Sequence, residues 1–339
     1  MKTRKQKCEY GASAGFTLVE LMIAMVLGLV VIAGIVSTLM ANRQNYRTNE
    51  GLSQVQESTR TAFELLARDI RQSGANGCDN TGRVSNLLDP AAGLWWQDWF
   101  VMNGFEGDEA DPAVATGTAV AERVAGTDSI HLQSIGGNGY SIESHDALAA
   151  TLTINAAATD LVAGDVLVVC DFDHAAIVQA TGYNATDVEV THGVGSGSPG
   201  NCSTGIGFPS VCTMPGNVYT FGPNSQVARL VVTDWYVGNN GRADEGGRSL
   251  YRRRLGAGAT LVAEEVVSGV RDMQLRYRLN GNDALVDADA VGAWGDVNAV
   301  AITLTVESAD QRVTTAPDVN DGRLQRTVTT LVTLRNRVP

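Results

Sequence analysis

The sequence predicts an α+β fold: one long N-terminal helix packed on a large antiparallel β-sheet head. Three observations predict it. Residues 16–41 are an almost unbroken apolar run. Residues 42–76 carry apolar side chains at three- and four-residue steps. From Gly77 the chain turns to short runs of Val, Ile, Leu and Thr broken by Gly, Asn, Asp and Ser. The organisation read from this is a basic leader (1–15), an apolar half-helix (16–41), an amphipathic half-helix (42–76) and a β-rich head (77–339).

The leader carries Lys2, Arg4, Lys5 and Lys7 against the single acid Glu9, and no apolar core precedes Gly15. An ordinary secretory signal places its small-residue cleavage site after the apolar run. Here Ser13-Ala14-Gly15 comes before it, so cutting there leaves the apolar segment on the mature chain. The positive-inside rule keeps the basic leader cytoplasmic and sends the head across the inner membrane into the periplasm. Cys8 lacks the apolar and small residues that precede a lipidated cysteine.

Residues 16–41 as a helix reach about 39 Å, enough for a hydrocarbon core of about 30 Å. Beyond the membrane, Leu52, Val55, Thr59, Phe63, Leu66 and Ile70 form an apolar stripe, with Gln54, Glu57, Arg60, Glu64, Arg68 and Arg71 on the other face. Gly74 and Gly77 supply a stop. One helix is therefore expected from about Phe16 to Ser73. Within its apolar half stands one carboxylate, Glu20, where an unpaired charge costs roughly 2.5 kcal/mol or more at mid-depth. A simple membrane anchor explains the length of this segment but not Glu20, nor the Gly15-Phe16 junction.

The run Gly15-Phe16-Thr17-Leu18-Val19-Glu20-Leu21-Met22-Ile23-Ala24 resembles the class III leader and methylation site of type IV pilins and type II secretion pseudopilins. The resemblance implies cleavage between Gly15 and Phe16 by a prepilin peptidase, N-methylation of Phe16, and a role for Glu20 in assembly. A looser resemblance covers most of the chain and is to the minor pilin family PilW. It rests on the chain length, Leu65-Leu66-Ala67-Arg68-Asp69-Ile70-Arg71-Gln72-Ser73-Gly74 with Cys78, Val168-Val169-Cys170-Asp171 with His174-Ala175-Ala176-Ile177, Trp294-Gly295-Asp296-Val297-Asn298-Ala299-Val300, and the closing strand. The J-type pseudopilin of type II secretion is similar in plan. The PilW resemblance implies a subunit that joins other minor pilins and the major pilin, primes assembly near the tip of a filament at the cell surface, and presents a large adhesin.

Cleavage gives Phe16 a new amine with a pKa near 8, largely protonated at neutral pH. Glu20 of an incoming subunit then has a counter-charge on a neighbour already in the filament, and the attraction is strong in low dielectric. The alternative is local: Glu20 pairs within its own chain or favours its own helix N-terminus.

The full chain has a formal charge of −12, and loss of the leader takes it to −15. That surface disfavours general nucleic-acid binding. Cys78, Cys170, Cys202 and Cys212 remain after processing and meet an oxidising compartment. Of the three pairings, the favoured one joins Cys202 to Cys212 across a Gly/Pro-rich loop and Cys78 to Cys170, pinning the helix exit to a strand. The cysteine spacing fits no zinc pattern.

Strands are expected at Ser129–Ser134, Thr151–Ile154, Asp165–Cys170, Ala175–Ala180, Asp187–Thr191, Gln226–Tyr236, Ser249–Arg253, Leu261–Val267, Met273–Leu279, Ala299–Glu307 and Arg326–Leu334. An inserted loop, 89–124, holds Trp95, Trp96, Trp99 and Phe100 and then an acidic stretch. The aromatics are expected to pack on their own head rather than on a partner. Residues 193–207 read as a loop.

No enzyme site is legible. Gly195 to Gly200 matches G-x-G-x-x-G without a strand–turn–helix context and with Pro199 inside it. His131, His145, His174 and His192 stand scattered, as ordinary surface or strand residues. Arg252, Arg253 and Arg254 are expected to pair with acids rather than DNA. No cofactor or metal is assigned; Asp283, Asp287 and Asp289, or Asp318, Asn320 and Asp321, offer side-chain oxygens to calcium without the full EF-hand loop.

Overall fold

The computed structural model describes residues 15, 17–74, 83–97, 104–108, 114–195, 197–314 and 320–334. The chain divides into two compact units, Met1–Glu50 and Gly51–Pro339. One helix, α1 (Leu18–Gln72), passes through the boundary.

In the first unit, large apolar side chains from Leu18 to Met40 are exposed on every side of α1. The helix is long and apolar enough to cross a membrane. Its few hydroxyls are satisfied locally: Ser37 and Thr38 both donate to the Gly34 carbonyl, at 2.9 and 3.0 Å. Internal satisfaction of this kind is what lipid demands.

In the second unit α1 buries one stripe, comprising Gly51, Val55, Ala62, Leu66, Ala67 and Ile70. The sequence places Leu52 and Phe63 on this stripe. Leu52 is instead exposed and Phe63 half-buried, because the smaller Gly51 and Ala62 take the tight positions. Arg60 and Glu64 pair on the opposite face at 2.7 Å. The helix ends where Gly74 adopts a left-handed φ of 74°, which only glycine takes cheaply. Its N–H then leaves the helix and donates to the Gln133 carbonyl at 2.8 Å.

The strands of the head are β1 (Val84–Asn86), β2 (Phe105–Asp108), β3 (Ser129–Asp146), β4 (Thr151–Ile154), β5 (Val166–Cys170), β6 (Ala175–Gln179), β7 (Gly182–Asn184), β8 (Glu189–Thr191), β9 (Gly205–Ile206), β10 (Gly216–Asn217), β11 (Gln226–Asn239), β12 (Arg248–Leu255), β13 (Leu261–Ser268), β14 (Val270–Leu279), β15 (Leu285–Val286), β16 (Val297–Glu307) and β17 (Gln325–Thr333). The main sheet runs β1-β6-β5-β11-β3-β4-β8-β7, with β12 and β13 continuing from β11, and β2 on β3. A second sheet runs β15-β14-β16-β17, and β9 and β10 form a small ribbon. Pairing is antiparallel except for β1 with β6 and β9 with β10, so the head is mixed at its margins.

Every expected range falls on a strand, but β3 is three times longer than its expected six residues. Gly136, Gly137 and Gly139 lie just past the end of the expected range. They are a bend within a continuous strand: Gly137 and Gly139 take φ of 86° and 64°, and a bulge lies opposite at Val227/Arg229. The bend lets β3 leave β11 and pair with β4 from Ile142 onward.

Among the described residues four apolar clusters fill the head, the smallest formed by Val114, Tyr236 and Tyr251. The largest joins the buried α1 stripe to Ile130, Leu132, Trp235, Leu275, Tyr277, Ile302 and Leu304, drawn from both sheets. A second gathers Ile142, Leu152, Ile154, Val178, Val190 and Phe221. A third surrounds Trp96, which is buried among Val166, Val168, Ile177 and Val232. Trp96 thus packs on its own head; Trp99 and Phe100 lie outside the described residues.

The rotated stripe has a measurable consequence. In the detergent-solubilised full chain, Leu66→Ala is expected to cost about 2–5 kcal/mol in chemical unfolding, while Leu52→Ala shifts it by no more than about 0.5 kcal/mol. Equal losses at the two positions would contradict this placement of the helix face.

Candidate functional site

The N-terminal segment is built by its first turn. Thr17 is followed three residues later by Glu20, the S/T-x-x-E pattern of a capping box. The Glu20 N–H donates to Thr17 Oγ1 at 3.2 Å, and the Thr17 N–H donates back to Glu20 Oε2 at 3.0 Å. The Thr17 hydroxyl donates to the same Oε2 at 3.0 Å. The two bonds to the Glu20 side chain use one carboxylate oxygen. Glu20 is exposed, so the charge is oriented at the head of the helix but not shielded. Gly15 is exposed, and a Cβ on it would meet nothing within 4 Å. Phe16 lies outside the described residues. The capping box was legible in the sequence and missed there, because Thr17 and Glu20 were read only as part of the larger motif.

Toward its other end α1 is pinned by a polar contact. Trp235 on β11 is fully buried and its Nε1 donates to Asp69 Oδ2 at 3.0 Å. Arg252 stands with a guanidinium nitrogen 4.0 Å from Asp69 and its guanidinium over the Trp235 ring. Burial pushes the Asp69 carboxyl up, against the Trp235 bond and the nearby Arg254, Arg252 and Arg68 charges. Of the arginine triplet, Arg252 serves this junction and also binds Glu264, while Arg253 donates to Asp234 Oδ2 at 2.6 Å.

Asp234 is the centre of a buried group. His131 Nδ1 lies 2.8 Å from Asp234 Oδ1, and Asp108 Oδ2 lies 3.9 Å from His131 Nε2. The second distance is too long for a hydrogen bond, so Asp234 is the firmer anchor and Asp108 acts through its charge. Trp95 sits 4.5 Å from the His131 ring and under the Arg253 guanidinium. Burial works against a charged imidazole here, but the two carboxylates outweigh it and raise His131 to about 9.

The other histidines are paired as well. His145 and His192 meet at 3.2 Å through their Nε2 atoms, and burial lowers both to about 4. His174 Nδ1 lies 3.0 Å from Asp173 Oδ2, and its Nε2 lies 3.2 Å from the Ile206 carbonyl. All four histidines are buried, which corrects the reading of them as scattered and unpartnered. Their partners are 103 and 47 residues away for His131 and His145, distances at which local sequence carries no signal.

Cys202 and Cys212 are disulfide-bonded, with Cα atoms 4.9 Å apart. Cys170 is buried in β5 and is disulfide-bonded; Cys78 lies outside the described residues. Asp287 accepts from Arg276 at 2.8 Å, and Asp318 lies outside the described residues. Among the described residues no three His, Cys, Asp or Glu side chains converge as a metal site.

Residues 11–36 match the family model described as a prokaryotic N-terminal methylation motif. No curated protein matches the chain. Among solved structures, a type IV-like pilin from Thermus thermophilus is similar at 11% identity, covering 84% of this chain and 98% of that one, with a TM-score of 0.32. The chain is thus pilin-like in its N-terminal segment, and such a motif implies processing by a peptidase and assembly with other pilins.

The junction and the buried group yield two predictions. Asp69→Ala strands the buried Trp235 N–H and should cost about 1–3 kcal/mol, whereas Asp69→Asn keeps an acceptor and should cost less. Unfolding of both variants at pH 7 distinguishes them; equal losses would deny the bond its role. The stability that His131 contributes is fully present below its unfolded value near 6.5 and is lost as pH rises through about 9. The unfolding midpoint of the wild type should therefore fall between pH 7 and pH 10 with a component that His131→Gln lacks.

Proposed function

We propose that this chain is a minor pilin of a type IV pilus, of the PilW kind, that helps prime filament assembly near the tip. A prepilin peptidase cleaves between Gly15 and Phe16 and Phe16 is N-methylated. The product is a single-pass inner-membrane protein with its N-terminus on the cytoplasmic side and its head in the periplasm. It then leaves the membrane for the filament, alongside other minor pilins and the major pilin, and presents an adhesin at the cell surface. It is a building block and not an enzyme. The domains in this reading are the leader (1–15), the filament-core half-helix (16–41), the amphipathic half-helix (42–76) and the head (77–339).

The observation that carries the reading is the methylation motif leading directly into a helix whose apolar side chains are exposed all round from Leu18 to Met40. Such a surface needs lipid or other helices of its own kind. Glu20 is the assembly residue: Oε2 holds the cap of its own helix, while the charge remains to meet the amine at Phe16 of a neighbouring subunit. The large head supports a place at one end of a filament, where it need not repeat along a shaft. The same N-terminal segment serves a J-type pseudopilin of type II secretion, and the neighbouring genes separate the two: other minor pilins with an adhesin, or secretion components.

Two measurements test the reading. Mass spectrometry of the mature native chain should find it beginning at a methylated Phe16; a chain retaining Met1 and the basic leader would refute it. Glu20→Gln keeps the capping box and removes the charge, and Glu20→Ala removes both. Both variants should insert normally and be depleted at least about tenfold from sheared pili, a loss equivalent to about 1.4 kcal/mol of assembly free energy. Normal incorporation of Glu20→Gln would show that the charge has no part in assembly.

A further inference from the structure

The His145–His192 pair is in neither the N-terminal segment nor the α1 junction, and its geometry allows only one arrangement of protons. The backbone N–H of Phe221 points at His145 Nδ1, 3.1 Å away. That nitrogen must accept, so the proton of neutral His145 sits on Nε2. Nε2 faces His192 Nε2 at 3.2 Å, which must accept in turn, so the proton of neutral His192 sits on Nδ1. His192 Nδ1 is buried without a partner. Each ring is therefore committed to one tautomer by a neighbour it cannot move away from.

A further proton has nowhere favourable to go. On His145 it would occupy Nδ1 and oppose the Phe221 N–H. On His192 it would occupy Nε2 and oppose the His145 N–H. The charged groups around the pair do not offset this. Asp146, next to His145 on β3, acts on it through charge but more weakly than burial. Glu143 on β3 is exposed. β4 brings Thr151, Leu152, Thr153 and Ile154, none of them titratable at these pH values. Glu189, on β8, falls on the face opposite buried Val190 and His192. His174 reaches the Phe221 and Tyr219 rings, at 5.3 and 4.4 Å between centroids, and is held by Asp173 and the Ile206 carbonyl. Tyr219 donates to Asp171 at 2.6 Å.

The pair clamps three pieces of chain. His145 ends β3, His192 follows β8, and Phe221 lies in the segment between β10 and β11. His192 also bonds by its N–H to the Ala150 carbonyl and by its carbonyl to Asn201, beside disulfide-bonded Cys202. The apolar cluster of Leu152, Ile154, Val190 and Phe221 closes over it. We infer that the His145–His192 pair is an acid-sensitive latch, holding β4, β7, β8 and the Phe221 segment together only while both rings are neutral. One proton on either ring breaks a hydrogen bond within the latch and loosens this lobe without loosening the sheet beside α1. Contacts made through the lobe's neighbours, the disulfide loop and exposed Phe208 and Met214, become pH-dependent as a consequence.

The sign follows from both rings being held below their ordinary value of 6.5. The latch is intact above that value and weakens as pH falls from it toward about 4. Hydrogen exchange of the full chain in detergent micelles, read by mass spectrometry and corrected for the intrinsic rate, tests this. Peptides covering 186–195 and 217–224 should open about thirtyfold more often at pH 5 than at pH 7.5 if one proton is taken up, and more if two are. The β16 peptide, 297–307, should change by less than about threefold over the same range. The double variant His145→Asn/His192→Gln supplies oxygens near the two accepting nitrogens and no titratable ring, and its lobe should lose the pH slope. A common slope in the lobe and β16, or a slope that survives in the double variant, overturns the inference. Should the double variant not fold, ring-nitrogen NMR of the wild type at pH 7.5 decides. The Nε2–H tautomer at His145 with the Nδ1–H tautomer at His192 is required, and any other pair of states refutes the latch.

Discussion

The second half of α1 has to bury one face and only one, and the head is arranged around that requirement. A stretch of some twenty residues with ordinary propensities does not hold a helix alone in water. Val55, Ala62, Leu66 and Ile70 are fully buried, and each large one contributes about 1.5–3 kcal/mol by leaving water. The partner surface comes from both sheets, with Trp235 and Ile130 from one and Leu304, Ile302 and Tyr277 from the other. Since apolar contact is non-directional, the stripe alone leaves the helix free to slide or rotate slightly. The Trp235–Asp69 bond removes that freedom, because its donor is held at one position by burial on β11.

The ionisable groups inside the head follow a related logic. The chain is acidic, yet Asp234 and Glu307 are buried and Asp69 half-buried, and these three sit by cations: Asp234 by Arg253 and His131, Glu307 by Arg271, Asp69 by Arg252. On a strand, successive side chains point to opposite faces. Arg252 and Arg253 therefore serve different neighbours, one toward α1 and one toward Asp234. Buried pairs of this kind give back little net stability against an apolar replacement. Their effect is on placement: a shifted β12 register would leave Asp234 buried with one partner fewer.

The helix and most of the head were legible from period alone. The alternation at Val300, Ile302, Leu304 and Val306 marked β16, and all four are buried. What period could not show was the continuity of β3, since Gly136, Gly137 and Gly139 look like punctuation when seen without β11 opposite them. Nor could it rank Gly51 against Leu52 on the helix face, because the choice depends on how closely residues from the head approach. The histidine pairs were invisible for a third reason. His145 and His192 meet only because β4 lies between β3 and β8, and nothing near either residue announces the other. At the N-terminus the reverse held, as a ten-residue motif carried the functional reading and the capping box within it was available to any local analysis.

That capping box also narrows what Glu20 must explain. A helix that starts within or beside lipid has N–H groups without partners, and a side-chain oxygen three residues into the helix satisfies one of them. Glutamine fills that position in capping boxes as well as glutamate does. The cap therefore accounts for an oxygen at Glu20, not for a charge. The charge is the costly part wherever the apolar half of α1 leaves water, and within its own chain Glu20 has no described cation against it: Leu18 to Ala41 contains no basic residue. The helix macrodipole offers about half a positive charge at this end, which lessens the cost without cancelling it. A fixed carboxylate with one oxygen committed and its charge uncompensated calls for a cation from outside the helix. In the filament proposed above, a neighbour's amine at Phe16 would supply one.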